Sequence, residues 1–199
     1  MEKLPFIYGK VCKYCGTKIN SGNVCLECEQ NRYHFNKGIS VLEYTEFSKK
    51  LIFNLKNHKK TYLAFYFAKM LSDRLNIQDF SNIDYITYVP MTEEKKKIRG
   101  YNQSELIAKY LSSILNTPCI KIIKKTKKTK SLKNLGKKKR IKELKNAFYP
   151  NSEKNIESKK VLLVDDIFTT GSTLNECSKV IYENYLCNVF VATIYNKGR

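Results

Sequence analysis

No run of about 18 apolar residues occurs in the 199-residue chain, so no segment has the length and apolarity of a membrane-spanning helix. The first residues, Met1-Glu2-Lys3-Leu4-Pro5-Phe6, lack a signal peptide's long apolar core, and a cytoplasmic protein with no membrane insertion is expected. Histidine is scarce: His34 and His58 are the only two, neither neighbours a motif, and no general base is evident. A Gly-x-x-x-x-Gly-Lys pattern is lacking, which excludes a P-loop nucleotide site. Internal repeats and a visible helix-turn-helix are lacking too, which argues against a solenoid and against a repressor.

Acidic residues are outnumbered, 18 against 37 basic, and the imbalance is local. Between residues 121 and 145 thirteen basic residues, among them Lys137, Lys138, Lys139 and Arg140, face Glu143 alone, so this block holds +12 of the chain's +19. Such a segment is too polar to bury and too like-charged to pack on itself, and residues 121–146 are expected to form a mobile loop. It suits a polyanion, nucleic acid or a phosphate-rich ligand, although a merely solvated loop has the same composition. Aromatic residues do not interleave with these lysines, so binding there is expected to be electrostatic rather than by base stacking.

What is present suffices for one packed domain and a small appendage. Apolar residues make up 42%, with 14 Tyr and 10 Phe, enough for an interior. Seven cysteines in a cytosolic chain do not read as a disulfide framework. Cys119, Cys177 and Cys187 sit in apolar contexts and read as small buried hydrophobes. The other four form two pairs, Cys12-x2-Cys15 and Cys25-x2-Cys28, nine residues apart. Two such knuckles can offer four thiolates to one structural zinc ion, with no position left open for chemistry. A redox Cys-x-x-Cys would use one pair only. The expected division is a zinc module at residues 1–37 and an α/β domain at 38–199.

Apolar spacing predicts helices over 46–57, 62–75, 102–115 and 172–185. Strands are expected at 40–44, 85–89, 119–123, 161–164 and 189–195, with 147–149 returning to a sheet edge. Strands alternating with helices point to an open, mostly parallel sheet. The stretch Val161-Leu-Leu-Val-Asp165-Asp166-Ile-Phe-Thr169-Thr170-Gly171-Ser172-Thr173 carries the chemistry. An apolar strand ends in two carboxylates, and a hydroxyl-rich turn opens a helix whose unpaired N–H groups favour a phosphate. Simple capping would need one hydroxyl, not four beside an Asp pair.

This stretch resembles the binding fingerprint of type I phosphoribosyltransferases. Together with the cysteine pairs, Tyr88-Val-Pro90 and Arg99-Gly-Tyr-Asn-Gln103, it resembles the ComF family over nearly the whole chain. The resemblance implies a type I phosphoribosyltransferase-like α/β fold behind a four-cysteine zinc module. It implies phosphoribosyl pyrophosphate or a related phosphosugar held with Mg²⁺ by Asp165, Asp166, Thr169, Thr170, Gly171, Ser172, Thr173 and Arg99. Arg99 is the candidate catalytic residue, and it can fork onto a phosphate while Asn102 caps the next helix. A role in DNA uptake, single-stranded nucleic acid on Lys137–Arg140 and contact with the uptake machinery are implied as well. An active transferase is the alternative. The chain departs from the family where Ser131 or Leu132 stands for Gln and Glu143 for Asn.

Overall fold

A computed structural model describes residues 4–78, 80–126 and 143–198. Lys137, Lys138, Lys139 and Arg140, and with them most of the expected lysine loop, lie outside the described residues.

The sheet has four parallel strands in the order β1-β6-β5-β2: β1 Lys37–Glu43, β2 Tyr85–Tyr88, β5 Lys160–Phe168 and β6 Asn188–Asn196. A short antiparallel pair, β3 Ile123–Lys125 and β4 Phe148–Pro150, stands apart from it. The helices are α1 Leu26–Glu29, α2 Glu46–Asn57, α3 Leu63–Ile77, α4 Glu93–Arg99, α5 Gln103–Leu115 and α6 Ser172–Tyr185.

Alternation along β5 explains the layering. Successive side chains of a strand point to opposite faces. Leu162 and Val164 pack with Ile52, Leu55, Phe67, Leu71, Ile107 and Leu111 of α2, α3 and α5. Val161 and Leu163 pack with Leu174, Cys177 and Ile181 of α6, with Phe148, and with the cysteine segment. Both faces are therefore covered, as a parallel sheet with an apolar centre requires.

Three expectations need correction. The strand expected at 119–123 is one parallel bridge, Ile86 to Cys119, and the following residues instead pair with Phe148–Pro150. Residues 147–149 thus join this separate ladder rather than the edge of the main sheet. The strand expected to stop at Val164 runs to Phe168, because pairing with β6 continues through Asp165–Thr193, Ile167–Tyr195 and Phe168–Asn196. The acid pair therefore belongs to the ladder at its carboxyl end. Helix α4 has no buried residue and so no apolar stripe to read. It is held instead by the Thr92 cap, Glu93 and Glu94 in its first turn, and Lys96, Lys97 and Arg99 in its last.

Cys177 and Cys187 are buried and Cys119 is half-buried. Burial raises all three thiols, Cys119 and Cys187 to about 11, so they pack as neutral groups.

Candidate phosphate and metal sites

The carboxyl ends of β5 and β2 meet the first turns of α6 and α5. Gly171 is the N-cap of α6, with φ of 72°, and the helix carries no side-chain cap. A Cβ there would stand 2.7 Å from Cζ of Phe168 and 3.0 Å from Cε1 of Tyr33, so only glycine fits. Neither Ser172 nor Thr173 is the cap: the Thr170 and Ser172 hydroxyls bond each other at 2.8 Å. The Ser172 amide donates to Thr170 Oγ1 at 3.4 Å, and the first turn of α6 otherwise has no side-chain cap, a setting that favours an anion.

Asp165 Oδ1 accepts from Ser104 Oγ at 2.8 Å and from the Asp166 amide at 2.9 Å. Burial, reinforced by the neighbouring Asp166 charge, pushes Asp165 up to about 7. Asp166 is 6% exposed and forms an ion pair with Lys56 of α2. Lys125 is half-buried; its ammonium is lowered first by desolvation and then by Lys95, while Asp165 opposes the shift. Two carboxylates on one strand thus have cations near them from α2 and β3, a mixed-charge cluster at the carboxyl end of β5.

The Arg99–Gln103 corner feeds the same edge. Gly100 ends α4 at φ of 88°, and Asn102 Oδ1 caps α5 through the Ser104 amide at 3.1 Å. The Asn102 side-chain amide donates to Val89 O at 2.9 Å, tying the corner to the end of β2. Arg99 donates to Gln103 Oε1 at 2.6 Å, and Tyr101 donates to Leu55 O. Lys96 and Lys109 both bind Glu105 at 2.8 Å; although burial opposes it, they hold that carboxyl below its usual range.

The four cysteines converge. The Sγ atoms of Cys12, Cys15, Cys25 and Cys28 all lie within 4.8 Å of one another. Cys15 and Cys25 are 3.8 Å apart, the edge of a tetrahedron with metal–sulfur bonds of about 2.3 Å. The Cys25 amide points at Cys12 Sγ at 3.4 Å. Hydrogen bonds from Cys15 and Cys28 favour the Cys12 thiolate, and the bond to Cys12 in turn pushes Cys15 up to about 12. A dication would let all four ionise, so the cluster fits a zinc ion. Gly16, at φ of 72°, turns the first knuckle where a Cβ would stand 2.4 Å from Ser40 N.

Tyr33 joins the two sites. Its hydroxyl lies 3.6 Å from Cys28 Sγ while its ring meets Phe168 and Gly171. The His34 amide donates to Asn175 Oδ1 of α6 at 2.7 Å, and Asn196 donates to Cys15 O at 2.6 Å. Between the cysteine segment and Thr169-Thr170 lies a cleft of about 810 Å³, also walled by Tyr33, Phe168, Asn196 and Lys197.

The structure thus brings Asp165, Asp166 and the 169–173 turn together, with Ser104 joining Arg99's corner to them. Sequence reasoning missed Lys56 and Ser104. Lys56 is one lysine among many on a helix; Ser104 directly follows the Arg99–Gln103 signature, which was its available signal.

A parallel sheet with a hydroxyl-rich turn after an acid pair at the end of a central strand defines a phosphoribosyltransferase-type domain. Residues 61–199 match the phosphoribosyl transferase domain family. The chain is 32% identical over 177 residues to Competence protein F of Haemophilus influenzae, covering 85% of this chain and 77% of that protein. It is 25% identical over 196 residues to Competence protein ComFC of Bacillus subtilis, covering 92% and 75%. It is 27% identical over 180 residues to DNA utilization protein YhgH of Escherichia coli, covering 87% and 78%. The chain belongs to the ComF family.

Proposed function

We propose that this protein acts in DNA uptake in the cytoplasm, as a phosphoribosyl-binding member of its family that also engages single-stranded DNA. Phosphoribosyl pyrophosphate, or a related phosphosugar, would be held at Asp165, Asp166 and Thr169–Thr173, with Arg99 beside them. The observation that carries this reading is the start of α6, where Gly171 supplies no side-chain cap and the Thr170 and Ser172 hydroxyls pair beside two carboxylates. Mg²⁺, when bound, would neutralise the diphosphate, and Asp165 and Asp166 offer it hard oxygen ligands. Zinc would occupy the four cysteines of a module at residues 1–37, ahead of a transferase-like domain at 38–199. Lys137, Lys138, Lys139 and Arg140 would contact DNA phosphates, and partners in the uptake machinery are expected. The names of the relatives support the competence and DNA assignments.

The test is calorimetry of phosphoribosyl pyrophosphate with and without Mg²⁺. Saturable, Mg²⁺-dependent binding that weakens in Asp166→Asn is expected. No binding at millimolar ligand would overturn the assignment.

One observation favours the transferase alternative: the cleft of about 810 Å³ beside Thr169-Thr170 offers room for an acceptor. A nitrogen lone pair would attack ribose C1′, the bond from C1′ to the pyrophosphate oxygen would break, and pyrophosphate would leave with that electron pair. The acceptor nitrogen's proton would pass to solvent. Lys125 and Arg99 would stabilise the departing charge. Pyrophosphate release, assayed across nitrogenous acceptors, decides between binding and turnover.

A further inference from the structure

The outward faces of α3 and α5 carry aromatic rings that the core does not use. Tyr62, Phe65, Tyr66 and Tyr110 are 57%, 43%, 56% and 39% exposed. They touch in a chain: Tyr62 to Tyr66 at 6.5 Å, Tyr66 to Phe65 at 5.7 Å, and Phe65 to Tyr110 across the helix pair at 5.7 Å. A contiguous exposed aromatic patch of this kind marks an interaction surface, whereas scattered single residues would not. The inward stripes of the same helices, with Phe67, Leu71, Ile107 and Leu111, already supply the packing.

The surroundings say what covers it. Lys59 and Lys60 precede Tyr62, Lys69 lies one turn beyond Phe65 and Tyr66, and Lys109 adjoins Tyr110; all four are exposed. Asp73 is the exposed acid on this stretch of α3, and Glu105 is taken by Lys96 and Lys109. A second copy seated here would bring these lysines against their equivalents on a chain of net charge +19. A polyanion with flat apolar faces meets both properties at once, because every base has a π-face and every linkage a negative charge.

We infer that the α3–α5 aromatic face is a base-stacking platform for single-stranded nucleic acid. This role rests on the proposed single-stranded DNA binding and gives it a contact on residues other than those of the phosphosugar turn. No binding of the oligonucleotide by the parent chain would overturn that reading, whereas parent-like binding by the variants below would overturn this one alone. Stacking would set residence of the strand, and the lysines would set its approach.

The experiment uses the full zinc-loaded chain and a labelled oligothymidylate. Binding is read from the fluorescence anisotropy of the labelled strand, which should rise to saturation with the parent chain. The double variant Phe65→Leu/Tyr66→Leu keeps helix and apolar area but removes two π-faces. It should weaken binding about tenfold or more while leaving the salt dependence unchanged. Tyr66→Phe should retain near-normal affinity. Unchanged affinity in the double Leu variant would overturn the proposal. So would a loss of affinity that accompanies conversion of a dimer to a monomer in sedimentation, which would make the face a contact between copies. Should the double variant fold poorly, Tyr62→Leu with Tyr110→Leu applies the same criterion from the other end of the ring chain.

Discussion

Asp165 and Asp166 are neighbours with different partners, one bonded to Ser104 and the other ion-paired with Lys56. Asp165 is raised to about 7 by burial and by its neighbour's charge, so the folded chain holds this proton more tightly than the unfolded one does. Its carboxyl therefore favours folding at low pH, and the contribution is lost as pH rises from about 4 to about 7. Asp165→Asn cannot ionise. Melting curves from pH 4 to 8 are expected to show the variant gaining on the parent across that window and holding a constant margin above it. Asp166→Asn breaks a largely buried pair, which should cost about 1–3 kcal/mol, a melting-temperature drop of a few degrees, alongside the loss of phosphosugar affinity. An exposed loop carboxylate, which adjacency to the 169–173 turn suggests, would leave the melting temperature unmoved. The strand continues under it, and that difference is not written in the residues themselves.

The corner between α4 and α5 is the element on which the candidate site turns. Asn102 serves it with both ends of one amide, capping α5 through its oxygen and holding Val89 O through its nitrogen, at 3% exposure. Asn102→Ala should lose about 1–3 kcal/mol, read from denaturant unfolding. Asn102→Asp keeps the cap and loses the donor, so it should fall between parent and Ala. Equal stability of all three would deny the corner its anchoring role. Elements that bury one side were legible in the sequence, because α2, α3, α5 and α6 each leave an apolar stripe. Helix α4 was not, since charge and capping hold it with nothing buried. The strand-to-helix turn at 169–173 and the cysteine cluster were legible because their parts are contiguous or closely spaced. Ser104 reaches Asp165 across 61 residues of sequence, a juxtaposition that only the parallel order of β2 beside β5 creates.

At the scale of the molecule, the cysteine segment and the sheet share one core. Cys12, Cys15 and Cys28 pack with Phe35, Phe168, Val189 and Val191, while Ser40 and Asn196 both donate to Cys15 O. Loss of zinc, by chelation or by Cys25→Ser, should therefore lower the melting temperature of the whole chain in a single transition. Two separated transitions in calorimetry would mean that the segment folds on its own. Charge acts at the same scale but through solution rather than packing. The block at residues 121–145 carries +12 of the net +19, and each phosphate it neutralises on a single strand releases counterions. The logarithm of affinity should fall with the logarithm of salt at a slope of about −0.7 per contact. Replacing Lys137, Lys138 and Lys139 together by Gln should flatten that slope by about 2 and weaken all sequences alike, with zinc content and phosphosugar binding unchanged. The stacking variants of the α3–α5 face should do the reverse, lowering affinity at constant slope, so the two contributions separate on one plot. If the triple Gln variant keeps the parent's slope, the phosphates are met elsewhere. Lys95, Lys96, Lys97 and Arg99 are then the next candidates, because α4 lies between Pro90 and the start of α5, on the carboxyl edge of the sheet that also bears the 169–173 turn. Loss of that cluster alone should then flatten the slope.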